Sequence, residues 1–155
     1  MNIFVLDLNP KTCAELHCDK HVVKMIVETA QLLCSAHHII GTKLTDLYKL
    51  THKNHPCSIW ARESSDNYKW LVRLGLHLCD EYTNRYNKIH KTSTLLLNLL
   101  TTQPEKFSTH QHTERPLCMP DKYHSTYVVE SYINYYKNEK KDILKYKNGT
   151  PKLFL

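Results

Sequence analysis

Apolar residues in this chain recur at three- and four-residue steps over long stretches, the spacing that gathers side chains onto one face of an α-helix. Between Cys13 and Ile40, Leu16, Val23, Ile26, Val27, Ala30 and Leu33 mark such a face, and Val22, Met25 and Leu32 widen it. The opening Ile-Phe-Val-Leu-Asp-Leu is β-branched and apolar enough for a short extended segment, after which Asn9 can cap a helix with Pro10 at its first position. One helix is predicted from there to about Ile40, stopping near Gly41. After the polar connection Thr51 to Pro56, a second is predicted from Cys57 or Ser58 toward Ile89, with Trp60, Leu71, Leu74, Leu78 and Tyr82 at apolar positions and a kink expected at Gly75. A shorter helix at Ser93 to Leu100 is closed by Pro104, a long ordered loop fills Gln103 to Asp121, and a last helix spans about Thr126 to Lys140. With three glycines and no internal repeat, the pattern reads as a mainly α, compact single-domain helical bundle over residues 1–155.

The same periodicity isolates a polar stripe. His17, His21, Lys24, Glu28 and Gln31 follow one another at steps of four, three, four and three, so they line up beside the apolar face. At the edge of a core such groups are costly to charge unless paired, and burial shifts pKa values toward those useful in catalysis. The plain alternative is a solvated face with an ordinary Lys24–Glu28 pair worth ~0.3 kcal/mol. The histidines, which exchange protons near neutral pH, favour chemistry. His17 and His21 could also reach one metal ion, with Cys13 or Cys18 as a soft ligand, which makes a metal-dependent hydrolase a competing reading. Neither a CxxC nor an HExxH pattern supports it, and no cofactor is called for.

Charge and composition narrow the partner. The net charge of +6, with eleven histidines counted neutral, favours an anionic partner. No apolar run is long enough for a membrane span, and the N-terminus lacks the basic opening of a secretory signal. A cytoplasmic or nuclear protein is expected, of a cell or an infected host, with its six scattered cysteines reduced. Asn54-His55-Pro56-Cys57-Ser58 followed by Arg62 sets polar groups around a helix start, where free amides and a guanidinium can receive phosphate. Near the C-terminus Tyr127, Tyr132, Tyr135 and Tyr136 alternate with Lys137, Lys140 and Lys141, a mixture of rings and cations that suits nucleic acid.

The run Asp19-Lys20-His21-Val22-Val23-Lys24-Met25-Ile26-Val27-Glu28-Thr29-Ala30-Gln31-Leu32-Leu33, then Asn54-His55-Pro56 with Trp60, resembles the pyrimidine-dimer DNA glycosylases. Leu78-Cys79-Asp80-Glu81-Tyr82-Thr83 is similar to the family's middle helix, and Tyr132 to Lys137 to its C-terminal segment. The resemblance implies an all-helical fold with the N-terminal segment threaded against the helices near a catalytic glutamate. It implies a monomer that acts on double-stranded DNA as a glycosylase and AP lyase: an amine attacks the sugar C1′ and forms a Schiff base. Glu28 then corresponds to the catalytic carboxylate and His21 to a nearby site histidine. The nucleophile is expected to be the α-amine of Met1, or of Asn2 after trimming, with Lys24 as a side-chain alternative. Lys20, Gln31, His55, Arg62, Tyr132, Tyr135, Tyr136 and Lys137 are the expected DNA contacts. Val27 and Gln31 occupy places where the phage enzyme of the family carries arginines, so charge there must come from Lys20, Lys24 or Arg62. A non-catalytic nucleic-acid-binding accessory protein, of viral origin, is the alternative to an enzyme.

Overall fold

A computed structural model describes residues 2–155; Met1 lies outside the described residues. The described residues form six α-helices: α1 (Pro10–Leu16), α2 (Asp19–Ile40), α3 (Pro56–Glu63), α4 (Ser65–Tyr86), α5 (Ser93–Thr101) and α6 (Val128–Glu139). Short 3-10 turns follow at Asp121–Tyr123, Lys141–Ile143 and Lys152–Phe154. Among the described residues there is no strand, only an isolated bridge between Ser64 and Thr109. The mainly α fold is therefore the one the periodicity predicts. Asn9 caps α1 through its side-chain oxygen with Pro10 next, and α2 ends at Ile40 before Gly41 at φ +93°, as expected.

Residues 10–40 nevertheless form two helices. His17 and Cys18 are extended, with ψ of 133° and 160°, and the break has an identifiable cause in Arg85 of α4. Its guanidinium, 2% exposed, donates to the carbonyls of His17 (2.8 Å) and Glu15 (3.1 Å) and pairs with Asp19 (3.1 Å) and Glu81 (2.8 Å). The carbonyls that end α1 thus face a buried cation rather than a further helical turn. Other groups at the break find equally remote partners. Tyr146 Oη donates to the Leu16 carbonyl (2.7 Å), Cys18 N–H donates to Tyr136 Oη (3.0 Å), and Asp19 N–H donates to the Lys145 carbonyl (2.8 Å).

The second predicted helix is also divided, at Ser64. That residue is extended at φ −143°, and its hydroxyl accepts from Asn67 N–H (3.0 Å) to cap α4. α4 then runs without interruption through Gly75. A Cβ there would meet Leu96 Cδ2 at 3.0 Å and Thr29 Cγ2 at 3.1 Å, so the glycine marks the close approach of α2 and α5 to α4 and not a kink.

α2 packs chiefly on α4, and one continuous core joins their faces. Val22, Met25, Ile26, Ala30, Leu32 and Leu33 of α2 are buried in it, whereas Val23, expected on the core face, is 40% exposed. The helix break shifts the register that a helix continuous from Pro10 would have had. Ile3, Phe4, Val5 and Leu6 are all buried, drawn through the bundle as an extended segment. Phe4 stacks on His21 of α2 at 4.5 Å and meets Tyr132 and Tyr136 of α6 edge-on. The connection from Gln103 to Asp121 is ordered, as predicted, because its backbone is tied down: Asn67 Oδ1 accepts from Thr113 N–H (3.0 Å), and Trp60 Nε1 donates to the Thr113 carbonyl (3.3 Å).

Replacing Arg85 with Leu strands two carboxylates and two carbonyls and is expected to destabilise the protein by about 3–5 kcal/mol. Gly75→Ala, which gains helix propensity but overpacks a helix crossing, is expected to lose about 1–3 kcal/mol. Denaturant unfolding of the two variants checks both values, and an unchanged midpoint for Arg85→Leu would refute this account of the break.

Candidate functional site

The stripe predicted along one helix is split by the α1–α2 break, and its members meet different environments. His17 lies in the break, fully buried, with Nδ1 2.7 Å from the Cys13 carbonyl. A carbonyl only accepts, so Nδ1 carries the proton, and the buried Nε2 has no partner. Burial is the main cause that lowers its pKa to about 4, and the Arg85 charge adds to it. His21 sits behind Phe4, and its Nδ1 is 2.9 Å from Tyr136 Oη. That oxygen already accepts from Cys18 N–H, so the phenol proton points to His21 Nδ1 and leaves Nε2 as the protonated ring nitrogen. Burial, reinforced by His17 and by the charges of Lys140, Lys24 and Lys20, brings the His21 pKa down to about 3. Both imidazoles are neutral at neutral pH, and His21 offers a donor at Nε2.

Two turns further along α2, the Glu28 side chain is 18% exposed, while Lys24, whose ammonium lies 3.6 Å from Glu28 Oε1, is 61% exposed. The carboxylate is sheltered and its partner is in solvent. The desolvation that a Lys24 nucleophile would require is therefore absent. Lys20, His21 and Lys24 line a cavity of about 330 Å³ together with Glu139 and Lys140 at the end of α6 and Asp142 and Ile143 of the turn after it.

The N-terminal segment ends in a second group of side chains. Asn2 Nδ2 donates to the Cys118 carbonyl (2.9 Å), and its Oδ1 accepts from Ile3 N–H (2.8 Å) and lies 3.6 Å from Cys57 Sγ. Cys57 is in the first turn of α3, a helix capped by His55, whose Nδ1 accepts from Cys57 N–H (3.1 Å). Cys57 Sγ is 3.7 Å from Cys118 Sγ. The thiol hydrogen bond from Cys57 is the leading cause that brings Cys118 down to about 7, and the same bond together with burial holds Cys57 far above the usual thiol range. Burial also lowers His55. Sequence reasoning singled out His55 here but neither cysteine, because 61 residues separate them and no spacing rule links them.

Among the expected DNA contacts, Tyr132 and Tyr136 need correction. Both are fully buried, so no base can stack on them; their hydroxyls instead serve Pro116 and His21. Their place in the core follows from the extended segment they cover. Tyr135 is half-buried, stacked 6.3 Å from Phe4 and with Lys140 5.2 Å above its ring. Lys20 and Lys137 are exposed, and Gln31 and His55 are half-buried. Arg62 is engaged within and just before its own helix, donating to the Lys53 carbonyl (2.9 Å) and Ser58 Oγ (3.1 Å). His17 and His21 do not converge on a metal position. Among the described residues, the group of three potential ligand side chains that does converge is His55, Cys57 and Cys118. Arg115, which no motif or spacing singles out, lies over the buried rings of Trp70 (4.6 Å) and Trp60 (5.3 Å) and lines two clefts of about 430 Å³.

A family profile described as pyrimidine dimer DNA glycosylase matches residues 1–94. The matched region takes in the threaded segment, α1 to α4 and the start of α5, and with them His21, Glu28 and His55. No curated protein and no solved structure matches the chain. No helix among the described residues is long and apolar enough to cross a membrane.

Buried neutral histidines make stability depend on pH in a definite direction. His17 and His37, both lowered to about 4, and His21, lowered to about 3, take up protons on unfolding once the pH falls below the ordinary value of 6.5. They carry no penalty above 6.5, and an increasing one as the pH falls from there toward about 4. The melting temperature is expected to fall over that interval, and less so in His37→Gln; a flat profile would contradict the assignment. Tyr136→Phe, which leaves the Cys18 amide without its acceptor, is expected to lose about 1–3 kcal/mol in denaturant titrations.

Proposed function

The chain belongs to the pyrimidine dimer DNA glycosylase family, and on that footing we propose that it removes damaged pyrimidines from double-stranded DNA and then cuts the strand as an AP lyase. The α-amine of Met1, or of Asn2 once Met1 is removed, attacks C1′ of the damaged nucleotide. The bond from C1′ to the base breaks, and the base leaves with the bonding electrons and takes up a proton. Loss of the amine proton and opening of the sugar ring give an imine between the amine nitrogen and C1′. Removal of a C2′ proton then expels the 3′ phosphate by β-elimination, and water releases the amine. Splitting one displacement into two addressable steps is what a covalent amine contributes.

Glu28 supplies the carboxylate that stabilises positive charge at the sugar and carries protons through ring opening and elimination. His21, neutral and protonated on Nε2, serves as a hydrogen-bond donor. Lys20, Lys24 and Lys137 hold the phosphate backbone, and His55, Arg62, Gln31 and Tyr135 contribute polar and aromatic contacts at the rim. A damaged base unstacks at lower cost than an intact one, which contributes selectivity. The observation that carries the reading is the threading of residues 3–6 through the core, with Phe4 on His21 and a sheltered carboxylate on the same helix. Phe4 thereby packs on the helix that carries Glu28, and the reading calls for no metal ligand from His17 or His21.

Borohydride reduction in the presence of dimer-containing or abasic duplex DNA is expected to trap a covalent adduct with the wild-type protein. Glu28→Gln is expected to slow strand cleavage about 10²- to 10⁴-fold. Lys24→Gln is expected to retain the adduct, and acylation of the α-amine to abolish it. If wild-type protein gives no adduct on either substrate, the imine mechanism is wrong.

A further inference from the structure

We propose that His55, Cys57 and Cys118 bind a zinc ion that fastens the loop before α6 to the start of α3, next to Asn2. The three side chains come from two segments far apart in sequence, yet their ligand atoms all lie within 4.8 Å of one another. The separation of the two sulfurs, 3.7 Å, is the informative distance. Zinc–thiolate bonds of about 2.3 Å at a tetrahedral angle put two sulfurs about 3.8 Å apart, so the pair already has the spacing of one tetrahedral edge. A disulfide needs about 2.05 Å, and it would leave the convergence of His55 unaccounted for.

The donor set decides which ion fits. Two thiolates and an imidazole select zinc over magnesium or calcium, which require oxygen ligands. Cys57 is buried and holds one side of the site, while His55 and Cys118 are half-buried and leave a path for the ion to enter. On ligation both thiols give up their protons to solvent, and His55 contributes a ring-nitrogen lone pair. The cap that His55 Nδ1 now makes to Cys57 N–H yields to the metal or to the altered tautomer, a small loss beside two zinc–thiolate bonds. The neighbouring oxygen is Asn2 Oδ1, 3.6 Å from Cys57 Sγ, which can fill the fourth position. So placed, the ion anchors the second residue of the threaded segment to two otherwise separate parts of the chain.

Cobalt(II) is the probe for apo protein prepared with a chelator under reducing conditions. Wild type is expected to develop the visible bands of a tetrahedral site and a thiolate charge-transfer band, both removed by one equivalent of zinc. Cys118→Ser is expected to lose about half of the charge-transfer intensity and to bind zinc at least about tenfold more weakly, whereas Cys79→Ser leaves both unchanged. Alkylation of wild-type Cys118 provides a readout that needs no variant, and zinc is expected to suppress it. Glu28→Gln should bind zinc normally, so loss of DNA cleavage and loss of metal are separable results. The proposal is overturned if no tetrahedral band appears, if Cys118→Ser binds zinc as wild type does, or if the two thiols close to a disulfide in air and reduced protein takes up no metal.

Discussion

The arrangement of this molecule depends on a guanidinium almost wholly withdrawn from water. Arg85, held on α4, faces the carbonyl end of α1 and the Asp19 carboxylate at the start of α2, and a helix running straight from α1 into α2 would leave that charge with only Glu81 of its own helix as a partner. A buried cation without partners is among the most expensive things a fold can contain. The bend at His17 and Cys18 is therefore the inexpensive alternative, not a local weakness of helix-forming residues. From the bend follows the direction of α2, hence the face on which His21, Lys24 and Glu28 stand, and hence the groove through which the N-terminal segment runs.

That dependence explains what the sequence disclosed and what it withheld. The helical content, the Asn9–Pro10 start, the Gly41 stop, the short helix after Ser93 and the ordered Gln103–Asp121 connection were legible because they follow from local rules of capping, chain stiffness and periodicity. The breaks at His17 and Ser64 were not. Nothing between Pro10 and Ile40 forbids a helix, and the partners that stop it are at Glu81, Arg85, Lys145 and Tyr146. A continuous helix misassigns two faces: it puts Val23 in the core, where it is 40% exposed, and His17 at the edge of the core, where it is fully buried.

The candidate site was legible in part for the same reason. Glu28 and His21 belong to one helix and could be paired by spacing and by resemblance. Tyr132 and Tyr136 looked like surface rings because lysines surround them in sequence, but a helix that covers an extended apolar segment must turn its large rings inward. Cys57 and Cys118 could not be connected at all, since long-range proximity leaves no imprint on a single sequence unless the ligands fall in a recurrent pattern. The buried imidazoles show the reverse case. Their residue type signalled proton exchange, yet desolvation makes them neutral donors and acceptors over the range in which free histidine titrates.

The extended segment at residues 3–6 has a consequence for how the chain acquires its shape. It precedes its partners in the chain: Asn2 is secured by Cys118, and Phe4 is enclosed by Tyr132 and Tyr136. The α1–α2 bend it passes is sealed from Tyr146. The two hydrogen-bonded closures span 116 and 130 residues. Such pairings are entropically late, because the intervening chain must be ordered before they repay the loop they close. During synthesis the apolar Ile-Phe-Val-Leu stretch must therefore wait, uncovered, until α6 has left the ribosome, and the segment proposed to carry the reactive amine becomes structured only after the helices it threads between.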